Sequence, residues 1–158
     1  MSRPRSSSRR TDPPDRPLLG ALLRLANQVM GQELVRWLAA SGHTDIQPAH
    51  CAAIQALWTR PEGARLTELA QMARVTKQSM GALVDHLCRV GHAERLEDPD
   101  DRRASRVRLT ARGRAFTKEI RAFVRGVEAD WARRVGARRI RDLQETLAAI
   151  VLEPAERS

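Results

Sequence analysis

The amino-acid sequence predicts a mainly α-helical protein with a small β-hairpin, built as a winged helix-turn-helix reader plus a terminal-helix dimerisation region. Apolar residues recur at three- and four-residue steps over most of the 158 residues, which is the period of an amphipathic helix. Aromatic residues make up only 3% and Tyr is absent, so the core must be aliphatic, a composition that favours helices over sheets. One charged loop lies between two short segments predicted as strands, and in the second of them apolar and polar residues alternate, as in a half-buried strand. The length suits one domain with its own core.

The chain carries a formal charge of +9, from 28 basic and 19 acidic residues, and every basic residue except Lys77 and Lys118 is Arg. Such a surplus usually indicates a polyanionic partner, although a basic protein without one stays an alternative. Cys51 and Cys88 both lie in apolar helical patterns, so we expect buried thiols in a reducing cytosol rather than a disulfide. No apolar run reaches the roughly 18 residues of a membrane span.

The chain is predicted to begin with a basic arm followed by a long helix. Residues 1–17 combine five arginines with Ser and Pro, which favours a disordered arm that either touches phosphates or is merely solvated. Residues 18–40 carry two adjacent apolar stripes and are followed by Gly42, a helix-ending residue. The stripes are Leu19, Leu23, Ala26, Met30, Leu34, Trp37 and Leu38, and Leu18, Leu22, Leu25 and Val29. A helix apolar on two flanks needs a cover on both, and a second subunit would supply one.

The next three helices include a helix-turn-helix, which the third and fourth helices form. The second helix is expected to start at Pro48, since Pro is tolerated in a first turn. The third, residues 67–73, has Thr67 as its expected cap, and the fourth, residues 77–90, is expected to be capped by Thr76 and closed by Gly91. Between them the turn is short, and Val75 is expected to plug its corner. The inner face of the fourth helix is Met80, Leu83, Val84 and Leu87.

A hairpin and two further helices complete the predicted elements. Residues 93–97 and 105–109 are the expected strands, around a loop at 98–104. Arg106 and Arg108 alternate with apolar residues in the second strand, so we expect both to point outward. The fifth helix begins near Thr110 and ends at Gly136. The last helix carries Ile140, Leu143, Leu147, Ile150 and Val151.

The outward side of the fourth helix has the chemistry of a DNA-contacting surface. Lys77 can meet a phosphate or guanine, and Gln78 has the donor and acceptor pair that suits adenine. Ser79 can reach a backbone oxygen, and Gly81 lets the helix approach the groove closely. Asp85 would face phosphate and is expected to pair with Arg89 one turn later, which limits base contact to the first turn and a half. An ordinary amphipathic surface helix would show the same pattern.

The loop and second strand form a basic segment that suits a DNA minor groove. Six arginines and no acid occur between residues 102 and 114: Arg102, Arg103, Arg106, Arg108, Arg112 and Arg114. Arginine best exploits the negative potential of a narrow minor groove. Asp101, two residues before Arg103, can orient that guanidinium by a bidentate bond. The alternative is a solvated turn whose surface ion pairs contribute little.

The segments LTELAQMARVTKQSMGALVDHL and DPDDRRASRVRLTARGR resemble the MarR family of bacterial winged-helix transcription regulators, and the resemblance extends from about Leu18 to the C-terminus. It implies a homodimer with interlocked terminal helices, a recognition helix over residues 76–90, and a wing in which Asp101 supports Arg103. Many members repress genes and release DNA on binding a small phenolic or lipophilic molecule. The expected DNA-binding residues are Arg74, Thr76, Lys77, Gln78, Ser79, Gly81, Asp101, Arg102, Arg103 and Arg106.

Three regions with separate tasks follow from this interpretation. Residues 1–17 form the arm, residues 18–47 and 110–158 the helical dimerisation region, and residues 48–109 the winged helix-turn-helix DNA-binding domain. Two readers related by a two-fold axis would bind a near-palindromic site in double-stranded DNA. A pocket for an aromatic or lipophilic ligand is expected at Trp37, His43, His50, Ile54 and Trp58.

The expected function is therefore a homodimeric, sequence-specific DNA-binding transcription regulator, a repressor released by a small ligand. It would act in the bacterial cytoplasm and be associated with the nucleoid when bound. The alternative is a winged-helix protein–protein interaction module without specific DNA binding. We predict no enzyme, cofactor or metal site, because the sequence has no nucleophile–base set, no Gly-rich phosphate loop and no metal-ligand spacing.

Overall fold

The computed structural model describes residues 17–152, apart from the side chains of Arg102 and Arg103. Over this range it contains six helices and three strands in the order α1 (Leu19–Ala40), α2 (Pro48–Trp58), β1 (Ala64–Arg65), α3 (Leu66–Ala73), α4 (Lys77–Arg89), β2 (Ala93–Asp98), β3 (Asp101–Leu109), α5 (Ala111–Val135) and α6 (Ala137–Leu152). The mainly helical fold class is confirmed. The predicted arm lies outside the described residues except for Pro17.

The sheet has three strands, in the order β1-β3-β2, rather than the two of the predicted hairpin. The strand missing from the prediction is β1, which pairs antiparallel with β3 through Ala64 opposite Val107. Gly63 precedes it with φ of 91°, and a Cβ there would lie 3.1 Å from the Val107 carbonyl oxygen. Two residues cannot show an alternating pattern, so β1 is detectable only through its pairing with β3.

One of the two predicted threonine caps is confirmed, because Thr76 accepts the Ser79 N–H at 3.1 Å. Thr110, which was predicted only as the approximate start of α5, also acts as a cap and accepts the Gly113 N–H at 3.1 Å. The other predicted cap, Thr67, is wrong, because α3 begins one residue earlier and its cap is Arg65. The Arg65 N–H donates to the Glu68 carboxylate at 2.9 Å. This is the reciprocal half of a capping box, and it fixes the start of α3 without a hydroxyl.

The core lies between α2, α3, α4, the sheet and the start of α5. Met80, Val84 and Leu87 of α4 are fully buried, and Leu83 packs partly against them, so the predicted inner face is confirmed. The other large buried residues include Ile54, Leu57, Leu69, Val107 and Phe116. Val75 does not plug the helix-turn-helix corner, since it is 37% exposed. Its N–H closes the turn instead by donating to the Ala70 carbonyl at 3.0 Å.

The two terminal helices contribute little to this core. In α1 only Leu38 is buried, and α6 has no buried residue. Their exposed large apolar side chains are Leu19, Leu22, Leu23, Leu25, Val29, Val35, Leu143, Ile150, Val151 and Leu152. Within residues 17–152 no helix is both long and apolar enough to cross a membrane.

Candidate nucleic-acid interface

The start of α4 presents a polar, basic surface to solvent. Thr76, Lys77, Gln78 and Ser79 are all exposed. The Thr76 hydroxyl accepts the Ser79 N–H in the cap and donates to the Ser79 hydroxyl at 2.8 Å. The two hydroxyls therefore fix the geometry of the first turn, while Lys77 and Gln78 project from it.

Two other predicted features of α4 have different surroundings from those expected. Gly81 is half-buried, and a Cβ there would meet Leu66 at 3.6 Å, so this position faces α3. Asp85 pairs with Arg95 of β2 at 2.7 Å rather than with Arg89. Arg89 donates to His86 Nδ1 at 2.9 Å. The expected pairing of Asp85 with Arg89 is wrong because β2 packs beside α4, a long-range contact that spacing within a helix cannot reveal.

Arg74 lies in the turn between α3 and α4 with a left-handed backbone, φ 54° and ψ 41°. Its guanidinium donates to the Val151 carbonyl at 3.2 Å, near the end of α6. In this conformation the predicted DNA contact at Arg74 is turned toward the C-terminal helix. The Arg74 side chain therefore does not lie with the exposed side chains at the start of α4.

The wing, defined here as residues 98–104, is strand along most of its length rather than loop. Strands β2 and β3 meet at the turn Pro99–Asp100, and β3 already begins at Asp101. The register changes between Glu97, opposite Ser105, and Asp98, opposite Asp101, so residues 102–104 bulge from β3. The side chains of Arg102 and Arg103 lie outside the described part, and orientation of Arg103 by Asp101 stays a prediction.

A buried carboxylate, Asp98, stands at the base of the wing, and sequence reasoning missed it. Its side chain is 0% exposed and accepts Arg65 Nε at 2.6 Å and the Asp100 N–H at 2.9 Å. The hydrogen bond from Arg65 lowers the pKa of Asp98 below its ordinary value, as does that from Asp100. The signal was present in the sequence, since Asp followed by Pro and two further residues is typical of a turn in which the carboxylate binds the N–H two residues later.

Several arginines of β3 and α5 are already bound to other groups of the chain, although the charge count suggests that they are available to a partner. Val107 and Leu109 are buried and alternate with arginines, as predicted. Arg108 donates to Glu94 at 2.7 Å, Arg112 to Asp45 at 3.0 Å, and Arg114 to the Leu109 carbonyl at 2.7 Å. Arg106 is half-buried, with Nε 3.9 Å from the Asp98 carboxylate. Carboxylates of the chain itself thus neutralise part of the expected basic strip.

The residues predicted to form a ligand pocket separate into two groups. Ile54 and Trp58 line a cavity of about 400 Å³ between α1, α2 and α5. Leu34, Cys51, Gln55, Thr117, Ile120, Arg121, Val124, Arg125 and Glu128 complete its lining. The Arg121 guanidinium lies 5.8 Å from the centre of the Trp58 ring. Burial raises the pKa of the Cys51 thiol to about 11, so this thiol stays protonated at neutral pH.

The other three predicted pocket residues pack elsewhere. Trp37 stacks on Phe123 with ring centres 5.0 Å apart. His43 lies 5.4 Å from the Trp37 ring and 2.9 Å from the Glu119 carboxylate. His50 stacks on His86 at 4.1 Å and accepts the Gln47 N–H at 3.0 Å. Burial, and then the neighbouring His86, lowers the pKa of His50. No group of three His, Cys, Asp or Glu within the described residues is placed to hold a metal ion.

The sequence model that describes the MarR family matches residues 44–104, the segment that contains the helix-turn-helix and the wing. This segment is similar in sequence to the MarR family. No curated protein sequence matches the chain. One of the solved structures of similar fold is described as a MarR family transcription regulator.

The MarR fold extends beyond the matched segment. The reduced form of MarR from E. coli is 22% identical, with a TM-score of 0.75, and the match covers 87% of this chain and 98% of that one. CouR, a transcriptional repressor solved bound to a 23-mer DNA duplex, is 26% identical, with a TM-score of 0.72 and coverage of 84% and 92%. A probable transcriptional regulator from Pseudomonas aeruginosa is 23% identical, with a TM-score of 0.69 and coverage of 85% and 97%. Coverage this high includes terminal helices as well as the reader.

Proposed function

We propose that the chain is a homodimeric transcription regulator that binds specific sequences of double-stranded DNA. One juxtaposition carries the proposal: a single winged helix combines the exposed Lys77 and Gln78 at a helix start with an arginine-bearing wing. The likeness to CouR, which was solved on a DNA duplex, supports the same class of partner.

The first turn of α4 is proposed to enter the major groove. Gln78 would bind an adenine through its amide and Lys77 a guanine or phosphate, while the helix N-terminus favours a phosphate oxygen. Asp85, about two turns further along the helix, is paired with Arg95. Its charge is then partly compensated, but it still limits base contact to the start of the helix.

The wing is proposed to reach the adjacent minor groove through Arg102 and Arg103. Both follow the turn at Pro99–Asp100 and lie in the bulge of β3, and bulges re-aim side chains at the ends of hairpins. Asp101 would orient the Arg103 guanidinium and so reduce the entropy that a flexible arginine loses on binding.

A homodimer built on residues 18–47 and 110–158 is the proposed assembly. Leu22, Leu25 and Val29 on α1 are 46%, 47% and 46% exposed, and Ile150 on α6 is 63% exposed. Monomeric proteins rarely expose so extensive an apolar surface. A second copy of the same helices would cover it, and the resulting two-fold axis would set the spacing of a near-palindromic site.

The cavity at Trp58 is proposed to bind a small aromatic acid that releases DNA. Trp58 offers a ring for stacking, and Arg121 and Arg125 offer cations for a carboxylate. The cavity lies between α2 of the reader and α5 of the proposed dimerisation region. A ligand bound there would change the position of the reader relative to the dimerisation helices. The regulator would then be a repressor, working in the cytoplasm and on the nucleoid.

The proposal is tested by selecting duplexes from a random-sequence library with the full chain and titrating the selected duplex in a gel shift at several salt concentrations. Each phosphate contact should contribute about −0.9 to the slope of log affinity against log salt. The Arg103→Glu variant should lose specific binding and remain a dimer by sedimentation. The matched reversal Arg60→Glu, at an exposed residue after α2 that lies outside the proposed DNA contacts and the proposed dimerisation region, should bind like the wild type.

Two results would count against the proposal. An intact dimer that selects no duplex even at low ionic strength would favour a protein–protein interaction module. Unchanged binding by Arg103→Glu would remove the wing from the interface. For the ligand, aromatic acids should weaken DNA binding by the wild type and not by Trp58→Ala, and a broad panel without effect would contradict release.

A further inference from the structure

The carboxylate of Asp98 is buried at the point where the wing leaves the sheet. One of its oxygens accepts the Asp100 N–H at 2.9 Å and the other accepts Arg65 Nε at 2.6 Å, with Arg106 Nε 3.9 Å away. Burial of an ionised carboxylate is unfavourable unless charged or polar groups compensate it. Both oxygens are compensated here, so the side chain is held in one position.

The partners of this carboxylate belong to the two halves of the reader. Arg65 is the cap of α3 and pairs in β1 with Arg106 of β3. Asp98 ends β2 and contacts Asp100 in the turn of the wing. The Arg65–Asp98 bond therefore joins the start of the helix-turn-helix to the base of the wing, just before the bulge at residues 102–104.

We propose that Asp98 and Arg65 are positioning residues that set the direction of the wing relative to α4 and thereby determine whether Arg103 reaches the minor groove. This inference rests on the proposed function. Asp98 is fully buried and does not touch DNA. Arg65 is 41% exposed but its Nε is engaged by Asp98, so its contribution to DNA binding is indirect.

The geometry gives this role a physical reason. A hairpin carrying an irregular register has few ladder bonds near its tip and is held in direction mainly by contacts at its base. The ion pair is that contact, and it involves a charged donor and acceptor at short distance, the strongest kind of hydrogen bond. Helix α4 and the wing can bind DNA at the same time only when the angle between them matches the positions of adjacent grooves in the duplex.

The test is a set of single and double variants on the selected duplex, measured by fluorescence anisotropy. Asp98→Asn removes the charge, and Arg65→Lys keeps the positive charge but places no donor at the Nε position. Each should weaken binding about ten- to a hundredfold, the value of a lost specific arginine contact. Arg103→Ala should do the same. The double variants Asp98→Asn/Arg103→Ala and Arg65→Lys/Arg103→Ala should bind no more weakly than Arg103→Ala alone, because the lost wing contact is shared.

Arg108→Lys is the matched control, since Arg108 also donates through Nε to a carboxylate, Glu94 at 2.7 Å, with a side chain 40% exposed. It should bind like the wild type. Thermal melting and sedimentation establish that each variant is folded and dimeric, and if Asp98→Asn does not fold, Arg65→Lys decides the question.

Wild-type binding by Arg65→Lys would overturn the inference, because it would mean that only the charge of Arg65 matters. Losses that multiply in the double variants would also overturn it, since Asp98 and Arg65 would then act independently of Arg103. If Arg103→Ala itself binds normally, the wing is not part of the interface and the inference fails with it. If no duplex is selected, the proposed function itself fails.

Discussion

Two regions of the molecule contain amphipathic helices but bury their apolar residues to different extents. One is the reader, residues 48–109, and the other is the pair of terminal helices α1 and α6. In the reader Leu57, Leu69 and Leu87 are each at most 1% exposed. In the terminal helices Leu22 and Leu143 are both 46% exposed. The same residue type is therefore core in one region and surface in the other.

The difference lies in where the covering surface comes from. Helices α2, α3 and α4 and the sheet cover one another within about 60 residues of chain, so the reader can fold by intramolecular contacts. Within residues 17–152 the terminal helices have little surface to pack against, and the proposed dimer would supply the rest. Their stability in solution should depend on protein concentration, as in an obligate dimer.

The largest expected effect comes from placing charges on the exposed stripe of α1. The double variant Leu22→Asp/Leu25→Asp would put four carboxylates into a two-fold interface. Burial of one Leu contributes about 1.5–3 kcal/mol, so the dimer dissociation constant should rise by at least about a thousandfold. Sedimentation over a concentration series measures it.

The control for this variant is Asn27→Asp, which adds a charge to the polar side of the same helix. It should leave the dimer dissociation constant close to that of the wild type. A double variant that stays dimeric at nanomolar concentration would show that the α1 stripe is not the interface, and that the comparison between the two regions needs another explanation.

One truncation made in each region compares them directly. Leu87→Ala removes a fully buried side chain of α4 and should lower the free energy of unfolding by about 2–5 kcal/mol at any protein concentration. Leu143→Ala, on α6, should lower the melting temperature only at concentrations where the dimer forms. Thermal melting at two concentrations a hundredfold apart distinguishes them, and equal behaviour of the two variants would contradict the assignment of α6 to an interface.

A pair of glycine substitutions in α5 examines where the reader meets the long helix. A Cβ at Gly113 would clash with the His92 carbonyl oxygen, whereas nothing lies within 4 Å of one at Gly126. Gly113→Ala should destabilise by about 1–3 kcal/mol or more, since backbone must move. Gly126→Ala should stabilise the helix by up to about 1 kcal/mol. Chemical denaturation measures both, and a stabilising Gly113→Ala would contradict the close approach of α5 to His92, just before β2.

The smallest effect is a loss of stability at mildly acidic pH. It should arise in or next to the reader, because all four histidines lie between residues 43 and 92. Burial lowers the pKa of His50 and of His92 below the ordinary 6.5, so the unfolded chain binds more protons below that pH. The stabilisation is fully present above about pH 6.5 and is lost as pH falls through the lowered pKa values. The free energy of unfolding should fall by at most about 1.4 kcal/mol per pH unit for each of these two imidazole rings.

Thermal melting from pH 8 to pH 5 checks this prediction. The double variant His50→Gln/His92→Leu should show a flatter dependence on pH than the wild type over the same range. Equal slopes would mean that other groups, and not these two rings, determine the acid sensitivity.

Local signals in the sequence were sufficient for most of the fold. Thr76 was correctly predicted as a cap, and Thr110 as the approximate start of α5, because a hydroxyl before an apolar period is a local signal. The same signal failed at Thr67, where Arg65 and Glu68 together form the cap. For the site, the exposed start of α4 was predicted, whereas the neutralised arginines of β3 and α5 were not, because their carboxylate partners Glu94 and Asp45 are 14 and 67 residues away.

By itself the sequence determined the six helices, the wing hairpin and the polar start of α4, since periodicity, caps and glycine ends depend on neighbours a few residues apart. Only the tertiary structure decided that β1 completes the sheet, that Asp98 is buried against Arg65, and that Asp85 pairs with Arg95. Each of these contacts joins segments distant in the chain, and their energy depends on burial, which local spacing does not encode.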